Sequence, residues 1–410
     1  MKNFLRNYFT IFFIIKAFAI AFSLSAFIYL DYFSLHVKFI NSFFAVFGFY
    51  LLLKANKYEL FWSGFFIGLF WFYWIALSFR YYDLTYLIPL VICGIAFIYG
   101  IIFRIIGIFE KRVCIKVVLL FLLSFFSPFG FNWLKPELSL LDSYFNPEIL
   151  TYALFLGAIT LMIKAKKEYK LLAVVPLFLS TLHTTFIPEK EPLKIKLASL
   201  NIPQEIRWKK KFQHSIISKN YSEIKKAIDE NYDIFILPES AFPLYLNLDE
   251  ENLKKLENLS KKIVIITGAL TYDKGNFYNS NYHFENGKLK EIAHKVILVP
   301  FGEEVPLPKF FTKIVNNIFF NGANDYTKSK QPQDFNIKGE KFRNAICFEA
   351  TRDEIYEENP KKLIATSNNA WFTPSIEPTL QNLLLRLYAK KYKTIIYHSA
   401  NGGISSIIKP

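Results

Sequence analysis

The sequence predicts a multi-span α-helical membrane bundle followed by an α/β domain. Two observations predict it. Seven apolar runs precede residue 190, most of them near the ~20 residues that a helix needs to cross about 30 Å of hydrocarbon. After Pro188-Glu189-Lys190-Glu191-Pro192 the composition changes abruptly, and alternating strand and helix patterns fill the rest of the chain. The expected domains are therefore residues 1–190 and 191–410.

Composition narrows the class. The 410 residues are 52% apolar and 18% aromatic, with 45 Phe, above the ~45–50% apolar content of soluble domains. That surplus excludes a disordered, collagen-like or disulfide-framework chain. The net charge of +15 would suggest nucleic acid only if the basic residues formed a stripe on a soluble face. Many of them fall instead in the loops between apolar runs, so no nucleic-acid partner is expected. The three cysteines, Cys93, Cys114 and Cys347, cannot make a disulfide scaffold, and no Cys/His spacing reads as a metal site. Neither a Gly-rich phosphate loop nor HExxH occurs, so no cofactor and no metal are expected.

The runs are Phe9–Leu30, Phe33–Leu53, Leu60–Phe79, Leu84–Phe103, Val113–Phe131, Ile149–Ile163 and Leu171–Ile187. Ser23-Leu24-Ser25 resembles a signal-peptide cleavage site, but six further runs follow, so the first run reads as a retained span. With the N-terminus inside, Lys54, Lys57, Arg104, Lys111, Arg112 and Lys164–Lys170 lie on the cytoplasmic side. Lys38, Arg80 and Lys135 with several acids lie opposite. Seven crossings then leave the second domain outside. Trp62, Trp71, Trp74, Tyr81, Tyr82 and Trp133 near the span ends read as an interfacial belt. The Pro/Gly loop Ser127–Leu134 could shape a mouth facing the lipid.

In the second half, Leu193, Ile195 and Leu197 alternate with lysines and mark a strand, and polar helical sequence follows to about Asn231. Tyr232–Leu237 is a short strand stopped by Pro238. Leu253, Leu256 and Leu259 mark a helix before the strand Ile263–Leu270. Asn286-Gly287 predicts a hairpin. Phe342–Phe348 and Leu363–Ser367 are further strands, Leu380–Lys391 is a helix, and Thr394–His398 and Ile404–Ile408 close the domain.

Three polar residues sit at the edges of apolar strands. Cys347 ends one strand, just before a helix expected near Thr351, where helix-terminus charge favours a thiolate; the alternative is a buried structural thiol. Glu239 follows Leu237-Pro238, where poor solvation raises a carboxyl and suits a general base; the alternative is an exposed loop acid or a helix cap. Lys295 enters an apolar strand, either partnered or solvated at an edge. Taken together, a base, a cation and a thiol are the parts of acyl transfer through a thioester. None of the six histidines, including His294, has a pattern that argues for a Cys–His dyad.

At these residues the second half resembles the nitrilase, or carbon–nitrogen hydrolase, superfamily. Seven preceding spans with Lys295-x-x-Leu298-Val-Pro-Phe-Gly-Glu303-x-Val-Pro306 resemble, within it, the apolipoprotein N-acyltransferase family. Asn201-Ile-Pro-Gln204 with Trp208, Leu237-Pro-Glu239-Ser, Ile346-Cys347-Phe348-Glu349, Ser367-Asn368-Asn369-Ala-Trp371-Phe372 and Asn401-Gly-Gly-Ile-Ser405 extend the likeness along the chain. The resemblance implies an αββα sandwich on a helical bundle, with Glu239, Lys295 and Cys347 as catalytic triad. It implies Glu303 and Glu349 as supporting acids, and Trp208, Trp371, Phe372 and Asn369 as substrate-binding residues. It further implies a phospholipid acyl donor, typically phosphatidylethanolamine, and the N-terminal amine of a diacylglyceryl-cysteine apolipoprotein as acceptor. The reaction would be ping-pong, on the periplasmic side of a bacterial inner membrane, in a monomer. A membrane-anchored amidase and an inactive scaffold are the other readings. Ala389 stands where the family often has Glu, and Phe348 where it has Tyr. The family continues past the Asn401–Ser405 segment into more strands and an eighth span, which this chain is expected to lack.

Overall fold

The computed structural model describes residues 9–183, 186, 193–300, 302–304 and 326–410. The composition break at residues 188–192 and the end of the lysine motif at Pro306 lie outside the described residues. The chain divides into two compact units. The first holds Met1–Ser127, Asn132–Thr185 and Ser375–Leu383; the second holds Pro128–Phe131, Phe186–Pro374 and Leu384–Pro410.

The first unit is helical: α1 (Ile11–Tyr32), α2 (Lys38–Lys54), α3 (Lys57–Phe72), α4 (Ile88–Ile106), α5 (Val113–Leu123), α6 (Ile149–Lys164) and α7 (Val174–Leu179). Four stretches are long and apolar enough to cross a membrane: Ile11–Tyr32, Lys57–Tyr82, Thr85–Phe109 and Val113–Gly130. The other three expected runs give shorter helices among the described residues. The second run loses its first residues to a turn with Ser34 at φ 58°, leaving 17 helical residues. The sixth makes 16 residues, ~24 Å of helix. The seventh gives a 3₁₀ segment and then only the six residues of α7. Pro176 sits inside α7, where it contributes no N–H to the helix.

Large apolar side chains of the unit such as Phe12, Phe18, Phe39, Phe43 and Leu90 point outward, while Ala17, Ser25, Ala45 and Ser63 are buried. Small residues at such contacts let helices approach closely without a water-driven core, while Phe49, Phe72, Tyr152 and Phe155 fill the rest of the interior. Gly64 of α3 is the tightest case: a Cβ there would sit 2.4 Å from the Tyr99 carbonyl of α4. The interfacial-belt expectation fails for three tryptophans. Trp71, Trp74 and Trp133 are buried; Trp71 donates to Ser25 Oγ at 3.0 Å, and Trp74 lies 5.2 Å from Trp133. Lys16 pairs with Glu59 at 2.7 Å, and Lys116 Nζ caps the end of α2 on the Leu53 and Ala55 carbonyls.

The second unit carries β1 (Ile195–Leu197), β2 (Ser199–Leu200), α8 (Gln204–Arg207), α9 (Lys210–Asp229), β3 (Ile234–Ile236), β4 (Phe242–Tyr245), α10 (Glu250–Leu259), β5 (Val264–Asp273), β6 (Asn276–Glu285), β7 (Lys288–His294), β8 (Asp334–Ile337), β9 (Glu340–Ile346), β10 (Lys362–Asn368), β11 (Ile395–Asn401) and β12 (Ser406–Ile408). Its helix α11, Glu377–Tyr392, enters this unit from Leu384 onward. One sheet runs β1-β3-β5-β6-β7 with β4 also on β5; the other runs β12-β11-β10-β9-β8 with β2 also on β11. The hairpin turn expected at Asn286-Gly287 joins β6 to β7, both residues holding positive φ.

Three apolar layers order these elements. Ile216, Tyr221 and Ile224 of α9 and Leu256 of α10 pack on Phe235, Ile265 and Phe284 of the first sheet. Ile234, Ile236 and Ile266 meet Phe335, Phe342, Ile364 and Tyr397 between the sheets. Leu385, Tyr388 and Ala389 of α11 cover Ala345, Leu363 and Ile396 on the far side. The result is an αββα sandwich, whose apolar layers use strand residues on both faces.

Candidate active site

Each of the three candidate reactive residues follows the end of a strand in the second unit. Glu239 comes three residues after β3. Lys295 directly follows β7 rather than entering a strand, and Cys347 directly follows β9. The helix expected near Thr351 is instead a pair of short 3₁₀ turns, Cys347–Thr351 and Asp353–Tyr356. Two non-glycine residues here hold the left-handed backbone: Cys347 at φ 58° and Ser240, beside Glu239, at φ 48°. Side chains adopt that region rarely, and it stores strain that the surrounding packing must hold.

Lys295 is 1% exposed, and its Nζ lies 2.6 Å from Glu303 Oε2. Its main chain is clamped on both sides: Lys295 N donates to the Asn279 carbonyl at 2.9 Å, and Ser329 N donates to the Lys295 carbonyl at 2.9 Å. Asn279 Nδ2 donates to Glu239 Oε1 at 2.7 Å and reaches Glu303 Oε1 at 3.4 Å. Glu303 Oε2 also accepts the Val299 N–H at 2.9 Å, which folds the Val299–Glu303 turn back onto the lysine. Glu349 is buried and accepts three backbone N–H groups, from Val296, Ile297 and Ile346. It thereby ties the segment after Lys295 to the strand end that precedes Cys347.

The electrostatics follow from this burial. Burial lifts the Glu239 carboxyl above the ordinary carboxylate range, against the opposing pull of Lys295. Burial likewise pushes Glu349 up to about 7, despite Lys295 and its three N–H donors. Burial alone would lower Lys295, but the charges of Glu303, Glu239, Cys347 and Glu349 outweigh it and raise the ammonium well above its ordinary value. The cluster therefore sets a buried ammonium among carboxyls that burial raises.

The remaining sequence candidates lie on the turns after α8 and β10. Trp208 directly follows α8 and is 43% exposed. Asn369 and Trp371 form the turn after β10, with Phe372 next; Asn369 is buried, close enough that a Cβ on Gly403 would meet its Oδ1 at 2.4 Å. The quoted motifs also interlock: Asn401 Nδ2 donates to the Ile202 carbonyl and to Asn368 Oδ1, both at 2.9 Å, and Asn368 Nδ2 donates to Gln204 Oε1 at 3.0 Å. His294 is engaged elsewhere, its Nδ1 lying 2.7 Å from Ser280 Oγ. The loop expected to form a mouth contributes Pro128–Phe131 to the second unit. There Phe131 stacks on Phe348 with ring centroids 5.9 Å apart, and Arg352 bonds the Gly130 carbonyl.

Sequence reasoning missed three polar residues here. Buried Arg207 donates from Nη1 to the Glu239 and Ser240 carbonyls, both at 2.9 Å, and so holds the turn that carries Glu239. Asn279 holds the Glu239 carboxylate itself. Asn281, two residues on, crosses between the sheets to Asn344 Oδ1 at 2.7 Å and Thr366 Oγ1 at 2.9 Å. The available signal was the i, i+2 spacing of Asn279 and Asn281, which places both amides on one face of β6.

The sandwich and its buried cluster define a protein of the carbon–nitrogen hydrolase class joined to an apolar helical unit. Family models agree: residues 11–183 match the apolipoprotein N-acyltransferase integral membrane domain, and residues 196–410 match carbon-nitrogen hydrolase. An apolipoprotein N-acyltransferase of Wolinella succinogenes is 43% identical over 96% of this chain and 94% of its own. Those of Helicobacter hepaticus and Campylobacter jejuni are 40% identical (88% of this chain, 91% of that one) and 36% identical (98% and 90%). The chain belongs to the apolipoprotein N-acyltransferase family. It is a membrane protein and an acyltransferase.

Proposed function

We propose that this enzyme moves an acyl chain from a membrane phospholipid, phosphatidylethanolamine in the first instance, to the N-terminal amine of a diacylglyceryl-cysteine apolipoprotein. The observation that carries the reading is the buried Lys295 cation, 2.6 Å from Glu303 and raised by the charges of Glu239 and Cys347. Glu239 takes the Cys347 thiol proton, and the thiolate attacks the donor's ester carbonyl. Lys295 stabilises the oxyanion that forms. Collapse breaks the ester C–O bond, and the lysophospholipid alkoxide leaves with the proton from Glu239. The acceptor amine then attacks the Cys347 thioester, its proton goes to Glu239, and the thiolate leaves and is reprotonated. Glu303 keeps Lys295 charged and placed, and Glu349 fixes the backbone on either side of the reacting centre. Trp208, Trp371, Phe372 and Asn369 line the route of the acyl chain.

A ping-pong order suits two bulky lipids that use one site in turn. Each methylene lifted out of the bilayer costs about 0.8 kcal/mol, so chemistry at the membrane surface avoids extracting either substrate. The proposal places the catalytic domain, residues 191–410, on the periplasmic face of a bacterial inner membrane, with residues 1–190 in the bilayer and the N-terminus in the cytoplasm. The enzyme acts as a monomer.

Intact mass after incubation with phosphatidylethanolamine tests the first half-reaction. One hydroxylamine-labile acyl increment is expected on the protein and none on Cys347→Ala. Full acylation of that variant would remove Cys347 from the mechanism. Discharge by water in the presence of a diacylglyceryl-peptide acceptor would favour an amidase instead.

A further inference from the structure

The helical unit holds a second group of convergent polar side chains with no part in the chemistry above. Asp31 lies in the last turn of α1, His36 in the connection from α1 to α2, and Asp142 between α5 and α6. Each offers one ligating atom, and these atoms all lie within 4.8 Å of one another; His36 Nδ1 is 3.5 Å from Asp31 Oδ1.

Asn41, in the first turn of α2, supplies the second observation. It is 4% exposed, and its Nδ2 donates to the Asp142 main-chain carbonyl at 3.2 Å, which pins the amide against that residue. Its Oδ1 is buried and has no hydrogen-bond partner among the described residues. A buried amide oxygen left in this way is costly unless something takes its lone pairs. The neighbouring Ser42 fixes the same segment, its Oγ accepting the Tyr144 N–H at 2.9 Å.

Charge points the same way. A carboxylate in the last turn of a helix faces the negative end of the macrodipole. Asp31 occupies that position, and Asp142 brings a second carboxyl to it. An added cation would face both carboxyls. One imidazole nitrogen and two carboxylate oxygens form a mixed donor set, to which the Asn41 amide oxygen would add a fourth ligand; it suits zinc or manganese rather than calcium, which takes about six to eight oxygens.

We propose that Asp31, His36, Asp142 and the Oδ1 of Asn41 bind one divalent transition-metal ion, with zinc as the probe. The ion clips the α1–α2 connection to the segment before α6. Closing a long chain loop in the folded state stabilises it through the entropy removed from loop closure. Exposed His36 provides the entry path and room for a water ligand.

The test uses the full chain in detergent, stripped of metal, beside His36→Ala and Asp142→Asn. Asn tolerates the left-handed backbone that Asp142 holds at φ 56°, and His36 is exposed, so both variants are expected to fold. Zinc titration followed by elemental analysis is expected to give one more ion per chain in the unsubstituted protein than in either variant. Losing a ligand should weaken binding by at least the ~10–100-fold typical of losing an outer-shell partner. All three proteins keep the same cysteines, so zinc on free thiols cancels in the comparison. A zinc-dependent rise in melting temperature should appear in the unsubstituted protein alone. Equal zinc content and equal melting shifts in all three would overturn the proposal. Cobalt offers an independent readout: absence of visible N/O-ligand bands on folded, unsubstituted protein would overturn it as well.

Discussion

Lys295 and Glu303 form an ion pair that is valuable through what it does to its neighbours. An ammonium that is almost wholly buried requires a compensating charge, and Glu303 provides it at 2.6 Å. Lys295→Ala is expected to slow acyl-enzyme formation by the ~10²–10³-fold typical of losing an oxyanion partner; a near-normal rate by intact mass would remove it from that role. Glu349 makes a pH prediction. Its carboxyl is raised from the ordinary 4.5 to about 7, so the native state holds that proton more tightly than the unfolded chain does. The resulting stabilisation is complete below about 4.5 and is lost as pH rises through about 7. Melting temperature should therefore fall across that window, and more shallowly in Glu349→Gln; an unchanged slope in the variant would assign it to other groups. Glu239, Lys295 and Cys347 were legible in the sequence because each sits beside an apolar run that ends. Arg207 and Asn279 were not, because a buried guanidinium on a four-residue helix and an amide in a polar strand look like surface residues until their partners are known.

Apolar strands were the easiest elements to read: β3, β5, β9, β10 and β11 fall where hydrophobic runs place them. The polar strand β6 was harder, since Asn279, Ser280, Asn281 and His283 are all buried in it and mask the usual alternation. Membrane helices pose the reverse difficulty, because apolar residues on every face hide which side is buried. Trp71 was misread for that reason. Element packing also makes a prediction at the base. A Cβ at Gly268 of β5 would sit 2.5 Å from Ser240 N and 2.7 Å from Glu239 Cα, so the turn can approach β5 only where no side chain intervenes. Gly268→Ala is expected to displace Glu239 and lower the acylation rate by at least ~10-fold, since small misplacements of reacting groups are expensive. A variant with full rate and unchanged melting temperature would show that the turn tolerates the shift.

The topology proposed for the whole molecule can be examined without purification. If basic loops set the orientation, a membrane-impermeant maleimide applied to cells with a permeabilised outer membrane should label Cys347 but not Cys114, which lies beside Lys111 and Arg112. Labelling of Cys114 with Cys347 protected would reverse the orientation. The sandwich also has a consequence for synthesis. Its chain passes from the first sheet at β1 to the second at β2, and among the described residues β2 pairs only with β11. The Ile202 N–H that follows is held by Asn401, 199 residues away. A ribosome therefore releases the apolar helices and the first sheet long before the second sheet can close around its own opening strand. Contacts of such long range form slowly and leave strand edges bare in the meantime. The nascent enzyme should be most vulnerable to proteolysis and misassembly while β9, with its cysteine, waits for β11 to emerge.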